Sequence, residues 1–370
     1  MTGELEKAAQ AYELWQQTYP RNHQPYANLG VIFCTLGNYE KCLEEYREAL
    51  RLEPNNVSSY ANLGGAYMNL NRLDEAEAVY QQAEERKLEA ESLLGNRYLL
   101  AFLKGDPAQM ERFASAAMGK PGLEDFILYT QSDTQAWYGK LKNARELTRR
   151  AMDSAEHIDA KETAASYQAQ SALREVEVGN KEQARTEADA ALKLAPNRDV
   201  KAIAALALAR ADDTAGAEKL TAELDKAFPL DTLVQRYWLP TIRAAVAMER
   251  KDPNHAAELL KETSAIELGQ PTLSLTAFLI PVYVHGEAYL ALGGGNQAGT
   301  EFQKFIDHRG LVVNFAWGAL ARLGLARAYK LQGDTAKARA AYQDFLTLWK
   351  DADAGIPILK QAKAEYAKLH

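Results

Sequence analysis

The residue types that most often do chemistry occur in this chain as isolated fragments. The glycine run at 293–295 could bind phosphate, but it follows no β-strand pattern and lies where a turn between helices is expected. The triplet His308-Arg309-Gly310 resembles a kinase catalytic loop only superficially, because glycine replaces the aspartate that would accept the substrate proton. The 6 histidines lack the spacing of metal ligands. The sequence therefore predicts no catalytic residue, no cofactor, no metal site and no enzyme activity.

Cys34 and Cys42 are the only cysteines in the sequence. They lie eight residues apart, in stretches that the repeat pattern assigns to two neighbouring helices. This spacing is typical of neither a zinc site nor a disulfide framework. We therefore expect two buried thiols.

Composition and charge exclude several classes of protein. The chain is 47% hydrophobic and 25% charged, with 12 prolines and 23 glycines, which indicates a globular protein rather than a disordered or loop-rich one. The formal net charge of −7 leaves no broad basic surface, so nucleic acid is not an expected partner. The longest apolar stretch, Leu273 to Val284, is too short to cross a bilayer, so we expect no membrane insertion of this fragment.

An internal repeat predicts how the chain folds, since 370 residues are more than a single hydrophobic core usually serves. The sequence Tyr-Ala-Asn-Leu-Gly occurs at 26–30 and again at 60–64, a separation of 34 residues. Turn-type residues recur with this period up to Gly139 and then at steps of 33 to 42 residues. The predicted turn positions are Gly3, Gly37, Asn71, Gly105, Gly139, Gly179, Asp212, Lys251, Gly293 and Gly333. Such a period predicts stacked helix-turn-helix units.

The residues within one period resemble the tetratricopeptide repeat (TPR). Tyr26, Leu29 and Gly30 precede the turn at Gly37, and an alanine at Ala49 follows it, as in that family's pattern. The resemblance implies an all-α fold, a right-handed superhelical solenoid of helix-turn-helix repeats. It divides the chain into a half repeat at 1–22, a regular 34-residue array at 23–158, repeats with longer helices at 159–352, and a C-terminal capping helix at 353–370.

Polar residues recur at one position of the first helix of successive repeats. In superhelical TPR arrays this helix forms the inner face, so the resemblance implies that these side chains share one groove. Amides can both donate to and accept from a peptide backbone, and apolar neighbours could contact its side chains. The candidate peptide-binding residues are Asn28, Asn62, Asn96, Thr130, Val31, Met68, Phe102 and Trp137. The alternative is that the asparagines bond to neighbouring backbone or side chains and hold the helices in register.

The last part of the chain has a second resemblance. Residues 302–310, 333–339 and 348–353 look like the C-terminal repeat region of acidobacterial eukaryotic-like serine/threonine kinases, without the kinase domain. The resemblance implies a bacterial scaffold or sensor module that binds a protein or peptide on its concave face and belongs to a signalling kinase. The alternative is a structural or oligomerising arm of another signalling protein, such as a winged-helix transcriptional regulator.

The first residues match the second half of a repeat. Gly3, Ala8, Tyr12 and Pro20 occupy the turn, second-helix and closing positions, so the first helix of that repeat would precede Met1. A second helix without its partner has an uncovered apolar side. We expect this N-terminal edge to fray or to self-associate. Because a membrane segment separates the two parts of some of the kinases, the sequence leaves both cytoplasmic and extracytoplasmic locations open.

Overall fold

The computed structural model describes residues 3–88, 91–271 and 279–369. These ranges contain 21 α-helices and no β-strand, which confirms the expected all-α solenoid. The helices are α1 Leu5–Thr18, α2 His23–Thr35, α3 Tyr39–Leu52, α4 Val57–Asn69, α5 Leu73–Glu85, α6 Glu91–Lys104, α7 Pro107–Ala117, α8 Glu124–Trp137, α9 Leu141–His157, α10 Lys161–Glu177, α11 Lys181–Leu194, α12 Arg198–Arg210, α13 Thr214–Ala227, α14 Leu239–Glu249, α15 Pro253–Lys261, α16 Ile280–Ala291, α17 Gly295–Asp307, α18 Arg309–Val312, α19 Ala316–Leu331, α20 Thr335–Leu348 and α21 Pro357–Ala367.

The ten predicted turn positions all adopt a left-handed backbone, with φ between +58° and +95°. Gly37 shows how such a turn ends a helix. Its N–H donates to the carbonyl of Cys34, and the N–H of Asn38 donates to the carbonyl of Phe33. These two bonds satisfy carbonyls that the end of α2 would otherwise leave unpaired. Glycine and asparagine favour this backbone, so local sequence chemistry sets the joint between the two helices of each pair.

Small residues let the two helices of a repeat approach closely. A Cβ atom added at Gly30 would lie 2.3 Å from the ring of Tyr46, and one added at Gly64 would lie 2.2 Å from the ring of Tyr80. The second helix of each early repeat also contributes a fully buried alanine, such as Ala49. The repeated glycine and tyrosine are therefore two halves of one packing contact.

The first helices of the later repeats are buried on most of their surface. All residues from Ala202 to Ala209 in α12 are buried, and five of those eight are alanines. The start of the next first helix contains a π-helical turn, Val234–Trp238, directly before Pro240. A helix that is apolar all round is typical of a protein interior rather than an exposed face.

The turns of the early repeats pack on the loops that connect the later ones. The N–H of Thr232 donates to the carbonyl of Gly3 (3.0 Å). The hydroxyl of Tyr39 donates to the carbonyl of Leu268 (2.5 Å). Farther along, the N–H of Asp353 donates to the carbonyl of Gly139 (3.0 Å). These contacts follow the same order in both partners, so one turn of the superhelix stacks on the next.

The two cysteines form a disulfide, so the expectation of two buried thiols was wrong. Cys34 lies near the end of α2 and Cys42 lies in the first turn of α3, on opposite sides of the turn at Gly37. The antiparallel helix pair brings their Cα atoms to 5.3 Å, which is within the range for a disulfide. The bond closes the hairpin of the first full repeat.

The N-terminal helix is attached to the rest of the chain at its start. The N–H of Leu5 donates to the Thr232 hydroxyl (3.1 Å), and Glu6 forms an ion pair with Arg236. Farther along α1 the surface is open, and Leu14 is 65% exposed. The beginning of this edge is therefore anchored, while its outer face is uncovered.

Candidate peptide-binding surface

The three asparagines differ in what their amides do. Asn96 donates from Nδ2 to the carbonyl of Ala61 in the preceding repeat (2.9 Å), a bond that holds α6 against α4. Asn28 accepts from the Gln24 side chain in its own helix (3.0 Å). Asn28, Val31 and Asn62 are all partly exposed. The bonds of Asn96 and Asn28 are of the kind that the structural alternative describes, and Asn28 and Asn62 remain partly exposed.

The other candidates lie deeper. Met68 and Thr130 are 4% and 3% exposed, and Trp137 is 9% exposed. Phe102 packs edge-on against Trp137, with ring centroids 5.4 Å apart. Met68, Phe102 and Trp137 lie toward the C-terminal ends of α4, α6 and α8, and Thr130 lies at the middle of α8. A part of the same chain that is remote in sequence covers Met68, Thr130 and Trp137.

Residues 309–318, here called the crossing segment, cover these helix ends. The segment joins α17 to α19, and all of it except Arg309 is buried. At its start, Gly310 donates its N–H to the Asn71 side chain (2.8 Å). A Cβ atom at Gly310 would lie 1.8 Å from the carbonyl oxygen of Met68, so only glycine fits this approach.

The middle of the crossing segment bonds to α8. Asn314 donates from Nδ2 to the carbonyl of Thr130 (2.8 Å) and to the hydroxyl of Thr134 (2.9 Å). Val313, which precedes it, has φ +47°, a backbone that a β-branched residue adopts only when its surroundings fix it. Arg322 then places its guanidinium 5.2 Å from the ring centroid of Trp137.

The crossing segment thus occupies the part of the proposed peptide groove that Met68, Thr130 and Trp137 line, here called the lower part. The part at Asn28, Val31 and Asn62 is called the upper part. Met68, Thr130 and Trp137 contact it and are not open to another chain in this structure. Asn28, Val31 and Asn62 stand apart from it. This arrangement could not be read from the sequence, because the partners are as many as 239 residues apart and neither carries a motif for the other.

Charged groups are buried beside the groove. Arg174 of α10 donates to Asp133 of α8 (2.6 Å) and to the Thr148 hydroxyl (2.7 Å), and both charged side chains are at most 3% exposed. Burial would disfavour the charge of Arg174, but Asp133 keeps the pKa of that guanidinium above its ordinary value. This pair is part of the joint between repeats and offers no group to a ligand.

A second buried group lies at the ends of the later first helices. Arg210 donates to Glu177 and forms an ion pair with Glu287 at 2.8 Å. Burial raises the pKa of Glu177 to about 7, although the neighbouring guanidinium favours its ionised form. Among the residues that the structure describes, no cluster of three or more His, Cys, Asp or Glu side chains could hold a metal ion.

Comparison with protein families identifies repeats at both ends of the array. Residues 30–71 match the model described as TPR repeat, and residues 57–89 and 320–352 match models described as tetratricopeptide repeat. These stretches contain helices α3 to α5 and α20. All three models describe helical repeats and none describes a catalytic domain. The repeats support a protein-binding scaffold.

Several solved structures resemble the chain at low identity. Yeast Tom70 is 13% identical, with 99% of this chain and 92% of that chain covered and a TM-score of 0.41. The Cut9–Hcn1 structure of the APC/C is 14% identical, with coverage of 99% and 88% and a TM-score of 0.37. A tetratricopeptide repeat protein from Parabacteroides merdae is 14% identical, with coverage of 83% and 98% and a TM-score of 0.35. None of these likenesses indicates a ligand.

No curated protein matches the chain significantly. Within the described ranges, none of the helices has the length and apolar character needed to cross a bilayer.

Proposed function

We propose that this chain is a protein-binding scaffold that holds an extended peptide in the upper part of its N-terminal groove. The observation that supports the proposal is the difference between two parts of that groove. Asn28, Val31 and Asn62 are partly exposed, whereas the chain's own crossing segment fills the lower part. The crossing segment that lies against these helices consists of the short helix α18 and the turn at 313–315 before α19.

The amides of Asn28 and Asn62 would bind the peptide backbone, and Val31 would contact an apolar side chain. An amide offers both a donor and an acceptor, so this recognition would tolerate many peptide sequences. Thr130, Met68, Phe102 and Trp137 would contact such a peptide only if the crossing segment moved away. We therefore expect a peptide to bind at the upper part of the groove while the crossing segment stays in place.

The test compares two asparagines with different partners. Peptides selected from a random library on the full chain are the probe, and their affinities are measured for Asn62→Ala and Asn96→Ala. Losing one neutral hydrogen bond costs ~0.5–1.5 kcal/mol, so Asn62→Ala should weaken binding about three- to tenfold and leave thermal stability unchanged. Asn96→Ala should lower stability by a similar energy, because it removes the bond to Ala61. Unchanged peptide affinity in Asn62→Ala would contradict the proposal.

Self-association at the N-terminal edge is a second candidate function. Leu14 and Tyr19 are 65% and 61% exposed, and Trp15 stacks on Tyr12 beside them with ring centroids 6.0 Å apart. Apolar side chains grouped in this way on a terminal repeat favour a partner surface. Sedimentation of the wild type and of Leu14→Glu tests this function. A concentration-dependent dimer that the substitution abolishes supports it, and a monomer at all concentrations contradicts it.

The finer proposal is that the module serves a bacterial serine/threonine kinase. It is supported by the resemblance of residues 302–310, 333–339 and 348–353 to the repeat regions of such kinases. The coding sequence upstream of Met1 provides the test. A kinase domain encoded in the same reading frame would support the proposal, and a DNA-binding domain there would favour the winged-helix alternative.

A further inference from the structure

A cleft on the opposite side of the early repeats has a charge unlike that of the rest of the molecule. It has a volume of about 560 Å³ and lies between the end of α5, the first half of α6 and the end of α7. Among the described residues, four basic side chains and one acidic side chain, Glu84, line it. The whole chain, by contrast, has a formal net charge of −7. The basic residues are Lys87, Arg97, Arg112 and Lys120.

The floor of this basic cleft is apolar. Leu93 and Phe113 are each 6% exposed and Leu123 is 2% exposed, and all three line the cleft. The short helix α7 has 11 residues, whereas the corresponding α9 of the next repeat has 17. A shorter second helix leaves the inter-repeat space beyond its end unfilled. Apolar side chains that the next helix would otherwise cover therefore border a depression.

Within the described ranges, only one carboxylate pairs with the four cations. Arg97 and Arg112 share one carboxylate, Glu84, at 2.6 and 3.3 Å. Both guanidiniums also lie over the ring of Phe113, with centroid distances of 4.7 and 5.6 Å, which holds them at the mouth of the cleft. Lys87 and Lys120 are exposed and form no ion pair with any residue in the described ranges. The described residues of the mouth therefore carry a surplus of positive charge.

A neighbouring cleft provides an internal comparison. It shares Arg97, Arg112 and Phe113 with the basic cleft, but its lining adds Glu77, Lys104 and Asp106. Acidic and basic groups there are equal in number, and Lys104 is paired with Glu77 at 2.5 Å. The surplus charge is thus confined to the side of Arg97 that faces Lys87 and Lys120.

We propose that the basic cleft binds an acidic peptide segment that places a bulky apolar side chain on Phe113 and flanking carboxylates against Lys87 and Lys120. Pockets of this volume take one or two large side chains, and cationic groups around an apolar floor select a ligand that is apolar at its centre and anionic at its edges. The site is separate from the N-terminal groove, since none of its lining residues is a candidate residue of that groove. It does not depend on the proposed function of that groove.

The probe is a fluorescent peptide in which Leu-Phe is flanked on each side by glutamates, titrated against the full chain. Two other peptides serve as controls, one with serines for Leu-Phe and one with lysines for the glutamates. We expect only the first to bind with saturation, and its affinity to fall with added salt, because exposed charges are screened. Equal binding of the serine peptide would show that charge alone is recognised and would overturn the proposal.

Variants then locate the site. Lys87→Gln/Lys120→Gln should weaken binding about fivefold and Lys87→Glu/Lys120→Glu at least about tenfold, as expected for the loss or reversal of two exposed ion pairs. Lys360→Glu/Lys363→Glu makes the same charge change on exposed residues of α21 and should leave the affinity within about twofold. If the Lys87→Glu/Lys120→Glu variant fails to fold, the Lys87→Gln/Lys120→Gln variant still tests the site.

Hydrogen exchange of the complex gives an independent readout. Binding should protect the amides at 84–88 and 112–123 and leave those of α2 and α4 unchanged. Asn62→Ala should not alter the affinity for this probe. Failure of the proposal for the groove can therefore be distinguished from failure of the proposal for the cleft. Equal weakening by the α21 variant, or protection confined to α2 and α4, would contradict the assignment of this site.

Discussion

The helix pairs α2–α3 and α10–α11 are each joined at a left-handed glycine but bury different groups. In α2 the buried residues are Pro25, Leu29, Gly30, Ile32, Cys34 and Thr35, and Asn28 and Val31 remain partly exposed. In α10 the buried set includes Gln170, Arg174 and Glu177. Helix α2 therefore keeps a surface, while α8 and α10 are interior helices that must pair their own polar groups. Substitutions and solution conditions that act on one region only can test this difference.

The largest effect is expected from Arg174→Ala. The substitution leaves the Asp133 carboxylate buried without its guanidinium, and breaking a buried pair in this way costs ~3–5 kcal/mol. Arg149→Ala is the matched control, because Arg149 pairs with Glu146 and Asp153 on the surface and should cost less than about 1 kcal/mol. Urea unfolding measures both. Equal midpoints would mean that the later repeats are not an interior.

Reduction of the Cys34–Cys42 disulfide should have the next largest effect. Opening a short covalent loop costs ~2–3 kcal/mol through the added freedom of the unfolded chain. The loss should be concentrated in α2 and α3 and leave the later repeats nearly unchanged, because stability in arrays is shared mainly between neighbours. Hydrogen exchange with and without a thiol reductant measures it. Uniform loosening of the whole chain would show that the two regions unfold as one.

Two adjacent glycines in α4 separate packing from helix propensity. A Cβ atom at Gly64 would meet the Tyr80 ring, whereas at Gly65 the nearest atom is the Asn96 amide nitrogen at 3.8 Å. Gly64→Ala should therefore destabilise the protein by ~1–3 kcal/mol. Gly65→Ala should stabilise it by ~0.5–1 kcal/mol through helix propensity alone. Melting temperatures that shift in the same direction for both variants would contradict the close crossing of α4 and α5.

The smallest effect is a dependence on pH that belongs to the later repeats. Burial lowers the pKa of His285 to about 4, and the nearby Glu267 opposes that shift only in part. The unfolded chain binds a proton at this residue near pH 6.5 and the folded chain does not, so stability falls as the pH is lowered. Between pH 6.5 and 5.5 the loss is about 1 kcal/mol. In His285→Phe this part of the pH dependence should disappear from urea midpoints.

The sequence predicts the parts of the fold that local chemistry controls. Glycine or asparagine at a left-handed position specifies each early turn, and a glycine and a tyrosine sixteen residues apart specify the packing of a pair, as for Gly30 and Tyr46. The disulfide was within reach of this reasoning. Cys34 precedes and Cys42 follows the turn at Gly37, so two antiparallel helices joined at that turn place the two cysteines side by side.

The crossing segment could not be predicted in the same way. Its position depends on the pitch of the superhelix, which sums small rotations from every repeat between Asn71 and Gly310. For the binding residues, the repeat period identifies the face of each helix and not what covers it. Asn62 and Met68 are less than two helical turns apart on α4, yet Asn62 is partly exposed and Met68 lies against remote backbone. The basic cleft likewise depends on helix length, which the turn spacing indicates only roughly.

The stacked turns of the superhelix also determine when each part of the protein can fold during synthesis. An open solenoid forms from contacts between adjacent units, so its growing chain can fold as it leaves the ribosome. Here the Asn71 side chain donates to a carbonyl 236 residues farther along, and such distant contacts slow folding. Most of the polypeptide must be synthesised before the crossing segment can cover Met68 and Trp137 of the early repeats. For that interval the nascent chain exposes its whole inner groove to chaperones and to other ligands.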